Sequence, residues 1–280
     1  MEKTSNPVSA FLKKHWMDIL VILIVVFLLF LLGRSIFIRF NFAKKWDKFY
    51  NHFFTNEGYK RLLTGMQNTG LIAVIGFFIG LTIGTLIATI KEIPPYHKLV
   101  RYAQKVCNVY VAFFRGTPIV VQLLVGYYIL LPIMGLSIPA LGSCILIFGL
   151  NSGAYISEIM RGGIQSVDPG QLEAARAVGL SFPVAMVKVV IPQAVKNILP
   201  TLGNEIIALV KETAIVGYVG AVDITKAFQD LAANSYEYMI PYIVMALLYI
   251  VIVAAIAGLI RLMEKAMKKS EAGKGVKSHG

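Results

Sequence analysis

A group of polar and ionisable residues interrupts the apolar stretch that ends near residue 220. Their spacing of three or four places them on one face of a helix. They are Thr201, Asn204, Glu205, Lys211 and Glu212, and Ala208 lies on the same face. Ionisable groups are costly in a bilayer, so this face is expected to line the interior of a helix bundle or a wet cavity. The alternative is that Lys211 and a nearby glutamate neutralise each other.

Two more polar sites lie within apolar stretches. Residues 114–118 read Phe-Arg-Gly-Thr-Pro, and Pro118 removes a backbone hydrogen bond, so a kink is expected there. Arg115 either joins the polar interior or extends its side chain to the cytoplasmic surface. Asn151 and Glu158 form a polar edge near the end of the next apolar stretch.

The remaining residues provide no catalytic or metal-binding set. The four histidines lie in loops or tails, and the sequence contains no H-E-x-x-H, serine triad, paired-aspartate or phosphate-loop motif. The two cysteines lack the spacing of a metal site or a disulfide framework. We therefore expect no catalytic residue, no metal and no cofactor in this chain, and an intramembrane enzyme is disfavoured.

The elements that position these residues are membrane helices. Of the 280 residues, 57% are hydrophobic and 15% are charged, whereas soluble chains are about 45–50% apolar and about 25% charged. The mean hydropathy is +0.70. We predict an all-α membrane protein, since about 20 apolar residues cross a bilayer. The six predicted spans are 17–33, 65–90, 106–131, 138–160, 201–220 and 239–262.

Small residues recur every four positions in the second predicted span, at Gly76, Gly80, Gly84 and Ala88. Such a stripe lets two helix backbones approach each other closely. We interpret it as a helix-packing surface without chemistry of its own.

The distribution of Lys and Arg predicts that both termini are cytoplasmic. The segments on that side then hold 17 basic residues and those outside hold eight, as the positive-inside rule expects. Basic loops also explain the net charge of +12 without a nucleic-acid partner. Segment 34–64 is the exception, because it is predicted outside and holds seven basic residues. Its aromatic residues and lysines predict an amphipathic helix at the membrane interface.

The predicted cytoplasmic stretch 161–200 is amphipathic and patterned rather than loose. Asp168 can cap a first helix, and Gly179 suits its C-terminal end. A second helix over 182–190 is expected to break before Pro192. Two short helices joined by a tight corner would suit docking into the groove of a partner.

This stretch resembles the EAA loop of ABC importer permeases. The matching residues are Glu173, Ala174, Ala175, Gly179, Val189, Ile191 and Pro192. The family prefers Ile-x-Leu-Pro at the end, so Val189 and Ile191 are mild aliphatic departures. Further segments are similar to the polar amino acid branch of the family, namely 114–118 with Gln122, 155–163, 165–167, 202–205 and 211–213.

The resemblance covers about 65–262 and implies a type I permease domain with five spans, so that 17–33 is an additional N-terminal anchor. The implied organisation is a cytoplasmic N-terminus (1–16), the anchor (17–33), the interfacial segment (34–64), the permease domain (65–262) and a basic cytoplasmic tail (263–280). The protein is then a multi-pass component of a prokaryotic cell membrane.

In the resembled family, the permease forms the translocation path and hydrolyses nothing itself. The implied partners are a dimer of ATPase subunits that bind the ATP, a second permease copy or a paralogue, and an extracytoplasmic amino-acid-binding protein. The residues implied in coupling to the ATPase are Glu173, Ala174, Ala175, Gly179 and Pro192.

The resemblance also implies a polar amino acid as substrate, whose carboxylate needs donors and whose ammonium needs acceptors. Candidate acceptors are Glu158, Glu205 and Glu212, and candidate donors are Arg115, Asn151, Asn204 and Lys211. Some of these can instead form latches or ion pairs. An ion-coupled secondary transporter or channel is the alternative function, since buried charges and broken helices occur there too.

Overall fold

A computed structural model describes residues 21, 23–31, 33–34 and 41–276, with side chains up to residue 266. The predicted cytoplasmic N-terminus and the beginning of the predicted anchor lie outside the described residues. Residues 23–31 of the anchor are helical, and their side chains are exposed. Apart from this helix, the described elements are α1 Phe42–Tyr50, α2 Gly58–Glu92, α3 Lys98–Gly116, α4 Ile119–Ile133, α5 Ala140–Gln165, α6 Pro169–Ala177, α7 Phe182–Val219, α8 Ile224–Ser235 and α9 Met239–Val276.

Four of these helices, α2, α5, α7 and α9, are long and apolar enough to cross a membrane. The pair α3 and α4 makes a fifth candidate span if it is counted as one broken crossing. Within the described residues the chain is therefore a helical protein with four or five candidate spans. The remaining predicted span, 17–33, is the anchor, which is described only in part.

The third predicted span is not one kinked helix. Helices α3 and α4 meet at an angle of 107°, with Thr117 and Pro118 extended between them. Proline disfavours the helical conformation of the preceding residue, and its missing N–H ends the hydrogen-bond ladder. The expected kink is thus a complete break.

The centre of the fold is the seam between α2 and α5. A Cβ atom at Gly80 would lie 2.9 Å from the Ser152 Cβ, and one at Gly84 would lie 2.7 Å from the Ile156 Cγ2. The stripe of small residues therefore brings the two helices into close contact, as predicted. Glycines on α5 add to this closeness, because Gly149 packs against Ile79 of α2.

Helix α7 continues through Pro192, so the prediction of a second short helix ending before that proline is wrong. The turn Met186–Val190 is π-helical, and the α-helix Ile191–Glu212 follows it with Pro192 in its first turn. The wider turn accommodates the proline, which has no N–H to donate and would otherwise crowd the preceding turn. The fifth predicted span, 201–220, is consequently the second half of a 38-residue helix.

Helix α8 begins at a buried carboxylate that caps its first turn. Gly220 has a φ of +81°, which favours glycine, and turns the chain towards Asp223. The fully buried Asp223 accepts hydrogen bonds of 2.9 Å from the backbone N–H groups of Thr225 and Lys226. Burial raises the pKa of the Asp223 carboxyl, and these hydrogen bonds oppose that rise.

The amphipathic helix predicted within 34–64 exists as α1, but one of its faces is buried against protein. Phe49 is buried in an apolar cluster with Phe228 and Leu231 of α8 and with Ile240 of α9. The segment is therefore packed onto the corner between α8 and α9, a contact that requires the folded partner helices.

Candidate functional site

Glu158 of α5 lies at the centre of a group of cations. One carboxylate oxygen lies 2.8 Å from the Lys91 Nζ, and the other lies 2.6 Å from the Arg161 Nη2 and 3.7 Å from the Arg115 Nη1. The Glu158 side chain is only 18% exposed. This carboxylate thus joins the end of α2 and the end of α3 to α5.

Arg115 lies at the last turn of α3, directly before the break. Its guanidinium group also lies over the Tyr155 ring, 5.7 Å from the ring centroid. Cation–π attraction and the Glu158 carboxylate together orient this side chain towards α5. The structure thus places Arg115 and Glu158 side by side.

Asn151 is buried, and its amide group belongs to a chain of hydrogen bonds at the break between α3 and α4. The Asn151 Nδ2 donates to the Gln122 Oε1 at 2.8 Å. The Gln122 Nε2 in turn donates to the Phe114 carbonyl at 2.9 Å and to the Thr117 Oγ1 at 2.8 Å. Gln122, which was not among the predicted site residues, satisfies backbone groups that the broken helix leaves open.

The polar face of α7 lies at the surface of the single chain. Glu205 is half-buried and accepts a hydrogen bond of 2.7 Å from the Ser152 Oγ of α5. Glu212 is half-buried, whereas Asn204 and Lys211 are exposed. Lys211 forms no ion pair with a described residue of its own chain, and it borders an apolar hollow between α7 and α9.

The candidate path residues therefore form three groups rather than one cluster. Arg115 and Glu158 lie in the cation group, and Asn151 lies in the buried hydrogen-bond chain. The remaining four are the α7 residues Asn204, Glu205, Lys211 and Glu212. Glu205 connects the third group to α5 through Ser152, one residue after Asn151.

The corner of the predicted cytoplasmic loop depends on two local features. The Asp168 side chain accepts a hydrogen bond of 2.8 Å from the Gly170 N–H and begins α6, as predicted. Gly179 has a φ of +89°, and a Cβ atom there would meet nothing within 4 Å. The glycine is therefore required by backbone conformation and not by lack of space.

The corner presents mostly small, exposed side chains. Glu173 and Ala174 are exposed on α6, Ala175 is buried beneath them, and Pro192 is exposed on α7. Val178, next to the corner, is 78% exposed although it is aliphatic. A surface of this kind is suited to contact with another protein.

Comparison with known proteins identifies the family. The profile of the family described as "Binding-protein-dependent transport system inner membrane component" matches residues 80–269. A protein named as a glutamine transport system permease, GlnP, from Rickettsia bellii is 37% identical over 73% of this chain and 91% of its own length. The arginine transport system permease protein ArtQ of Bacillus subtilis is 35% identical over 75% of this chain and 94% of its own length.

Solved structures agree with the sequence relatives. A chain from a crystal structure of an amino acid ABC transporter with histidines has a TM-score of 0.69 and 38% identity, covering 76% of this chain and 96% of that one. A chain of a bacterial alginate ABC transporter has a TM-score of 0.60 at 19% identity, and this likeness concerns the fold alone. The family profile and these relatives agree with the loop and the helices. The chain belongs to the binding-protein-dependent transport system inner membrane components, the permease subunits of ATP-driven ABC importers.

Proposed function

We propose that this permease carries a polar amino acid and that the polar residues of α5 and α7 line its path. The observation that supports this most directly is the face of α7, where Asn204, Glu205, Lys211 and Glu212 follow one another along a membrane-length helix. The exposed cation Lys211 and the half-buried carboxylates of Glu205 and Glu212 on one face suit a zwitterionic substrate. Relatives named for glutamine and arginine transport point to the same substrate class.

We propose that the corner at Gly179 docks on a separate ATPase subunit. Glu173, Ala174 and Ala175 would lie in the docked surface, and Pro192 would lie on the first turns of α7 beyond it. Because α7 continues without interruption from Phe182 to Val219, a displacement of the corner would be carried by one helix to the polar face. This continuity supports coupling more strongly than the short second helix expected from the sequence.

In this assignment the chain itself is non-catalytic and binds no cofactor or metal. ATP would be bound by a dimer of ATPase subunits on the cytoplasmic side, in agreement with the absence of a phosphate-loop motif from the sequence. A second permease copy or a paralogue would cover the polar face of α7. An extracytoplasmic amino-acid-binding protein would deliver the substrate.

The proposed arrangement in the membrane is that of a prokaryotic cell-membrane protein with six spans and both termini cytoplasmic. The anchor at 17–33 would precede the outer segment 34–64, the permease domain 65–262 and the cytoplasmic tail 263–280. An ion-coupled carrier or channel, the alternative function, would leave the corner at Gly179 without a partner.

Reconstitution of the complex tests the function. The chain is purified with the ATPase subunit that co-purifies with it, placed in proteoliposomes with ATP and a binding protein, and screened for uptake of radiolabelled amino acids. Uptake that requires both ATP and the ATPase subunit is expected. Uptake driven by an ion gradient without the ATPase subunit would overturn the proposal.

The variant Gly179→Val tests the corner. A β-branched residue at a φ of +89° costs about 1–2 kcal/mol, so the corner is expected to change shape and uptake per ATP hydrolysed should fall severalfold. Gly179→Asn is the matched control, because asparagine tolerates this conformation better. Normal coupling in Gly179→Val, with intact membrane insertion, would contradict the role of the corner.

A further inference from the structure

Helix α3 carries an apolar stripe that faces away from its packing partners in the chain. The residues of the stripe recur at spacings of three and four, and each is more than half exposed. They are Leu99, Tyr102, Val106, Val109 and Phe113. Cys107 and Val111, which are buried against α2 and α5, lie about 140° around the helix from the middle of the stripe. The apolar stripe is therefore open to another molecule or to lipid.

A row of cations accompanies the apolar stripe in the first half of α3. Lys98, Arg101 and Lys105 are exposed and form no ion pair with a described residue. Because residues three and four apart are neighbours on a helix surface, these three side chains adjoin one another. Residues 93–157 contain no aspartate or glutamate, so this stretch supplies no counter-charge of its own. The cation row is therefore open to an anion from another molecule.

An apolar hollow joins the cation row to the apolar stripe. It has a volume of about 520 Å³ and is open to the surroundings of the chain. Its lining consists of Tyr102, Lys105, Val106, Val109, Tyr110, Phe113 and Phe114. From Lys105, the cation in this lining, the hollow follows the helix for about 12 Å to Phe113. A molecule with an anionic end and an apolar tail would match both the cation row and the hollow.

The apolar stripe belongs to a helix on the other side of α5 from the polar face of α7. Glu205 of that face accepts a hydrogen bond from Ser152, whereas α3 packs on Ala154. Side chains two positions apart on a helix project about 160° apart. A second permease copy on the α7 face would therefore lie across α5 from α3. Since α3 is half of a candidate membrane span, lipid is the neighbour expected at its stripe.

We propose that this surface of α3 binds an anionic phospholipid. The phosphate lies against Arg101 and Lys105, which donate hydrogen bonds to its oxygens, and an acyl chain fills the hollow along Val106 and Val109. Basic pockets on the cytoplasmic side of membrane helices hold anionic headgroups in this way, and the start of α3 is predicted to be cytoplasmic. The inference does not depend on the substrate that the permease carries.

A phospholipid accounts for the whole surface better than an acidic protein segment does. Carboxylates would neutralise the cation row but leave the apolar hollow beside it unfilled. A neutral lipid would fill the hollow but leave the cations unpaired. An anionic phospholipid satisfies both, because the stems of Arg101 and Lys105 can lie along apolar surface while their charges reach the level of the headgroups.

The test is lipid binding by the full chain in detergent. Native mass spectrometry measures the dissociation constants of phosphatidylglycerol and of phosphatidylcholine in separate titrations. The wild type should bind phosphatidylglycerol about tenfold more tightly than phosphatidylcholine, and Arg101→Gln/Lys105→Gln should abolish this preference. Val109→Gln places a polar group in the hollow without changing the charge. It should weaken the binding of both lipids severalfold.

The control is Arg261→Gln/Lys265→Gln, which removes two exposed cations at the predicted cytoplasmic end of α9 and should leave the preference unchanged. An equal loss of preference in both double variants would reveal general attraction to anionic lipid and overturn the site. So would the absence of a preference in the wild type, or unchanged lipid binding in Val109→Gln. Efficient disulfide cross-linking between Val109→Cys chains in native membranes would assign the stripe to a second copy, which also overturns the proposal.

Discussion

Glu158 and Lys211 both lie on helices long enough to cross a membrane, yet their surroundings differ. Glu158 has three cations of its own chain within 4 Å. Lys211 is exposed and forms no ion pair with a described residue. The Glu158 carboxylate is thus paired within its own chain, whereas Lys211 on the polar face of α7 is not paired with a described residue.

We interpret this difference as one between a region held together by contacts within the chain and a face that a partner would cover. The α2–α5 seam and the Glu158 group hold each other in place, so changes there should act on stability. On the α7 face, Lys211 and Glu212 form no ion pair with a described residue, so changes there should act on assembly and transport.

The largest effect is expected from Gly84→Leu in the α2–α5 seam. A Cβ atom at this position would lie 2.7 Å from the Ile156 Cγ2 and 2.9 Å from the Ser157 backbone nitrogen. Overpacking that presses on backbone cannot be relieved by a side-chain movement, so a loss of about 3 kcal/mol or more is expected. The yield of monodisperse protein and its thermal unfolding in detergent measure this loss.

Gly70→Leu provides the comparison on the same helix. Nothing lies within 4 Å of a Cβ atom at Gly70, and leucine favours helix over glycine. This variant should fold as well as the wild type. If Gly84→Leu also folds normally, the seam does not hold α2 and α5 together in the way described.

The second prediction concerns Glu158→Gln, which leaves Lys91, Arg115 and Arg161 close together without a carboxylate. Removing one partner from a largely buried charge group costs more than the pair itself contributes, and a loss of about 2–4 kcal/mol is expected. Arg115→Gln should cost less than about 1 kcal/mol, since its nitrogen is 3.7 Å from Glu158 and its side chain is 46% exposed. Equal unfolding temperatures for the two variants would contradict the central position of Glu158.

Local rules predicted the features of the fold that depend on neighbouring residues. The glycine stripe at Gly76, Gly80 and Gly84 has a helical period, so its packing role is visible in the sequence. Asp168 begins a helix because its side chain accepts a hydrogen bond from the Gly170 N–H, and Gly179 follows the end of one because glycine adopts a positive φ readily. Such features need no knowledge of distant residues.

The sequence did not predict contacts between residues that are distant along the chain. It also did not predict a local change of helix type that accommodates a proline. Pro192 is a helix breaker by local rules, but the π-helical turn Met186–Val190 accommodates it and α7 continues. Lys91 and Glu158 are far apart in sequence, and only the close approach of α2 and α5 makes them a pair. Phe49 likewise resembles an interfacial aromatic residue until α8 and α9 are folded around it.

The third prediction addresses the α7 face and has the smallest effect on stability. If a second copy supplies the missing partners, Lys211→Glu and Glu212→Lys should each lower uptake about tenfold through like charges at the interface. The folding of each chain should change little, because Lys211 is exposed and Glu212 is only half-buried. Uptake assays and unfolding of the separate variants measure the two quantities.

Mixing the two variants distinguishes pairing between copies from pairing within one chain. Differently tagged Lys211→Glu and Glu212→Lys chains are co-expressed, and the mixed importers are isolated by sequential affinity purification. In these importers the acidic pair of one copy faces the basic pair of the other, so uptake should recover towards the wild-type rate. Recovery only when both changes are made in the same chain would mean that each copy satisfies its own charges, and the α7 face would then resemble the Glu158 group.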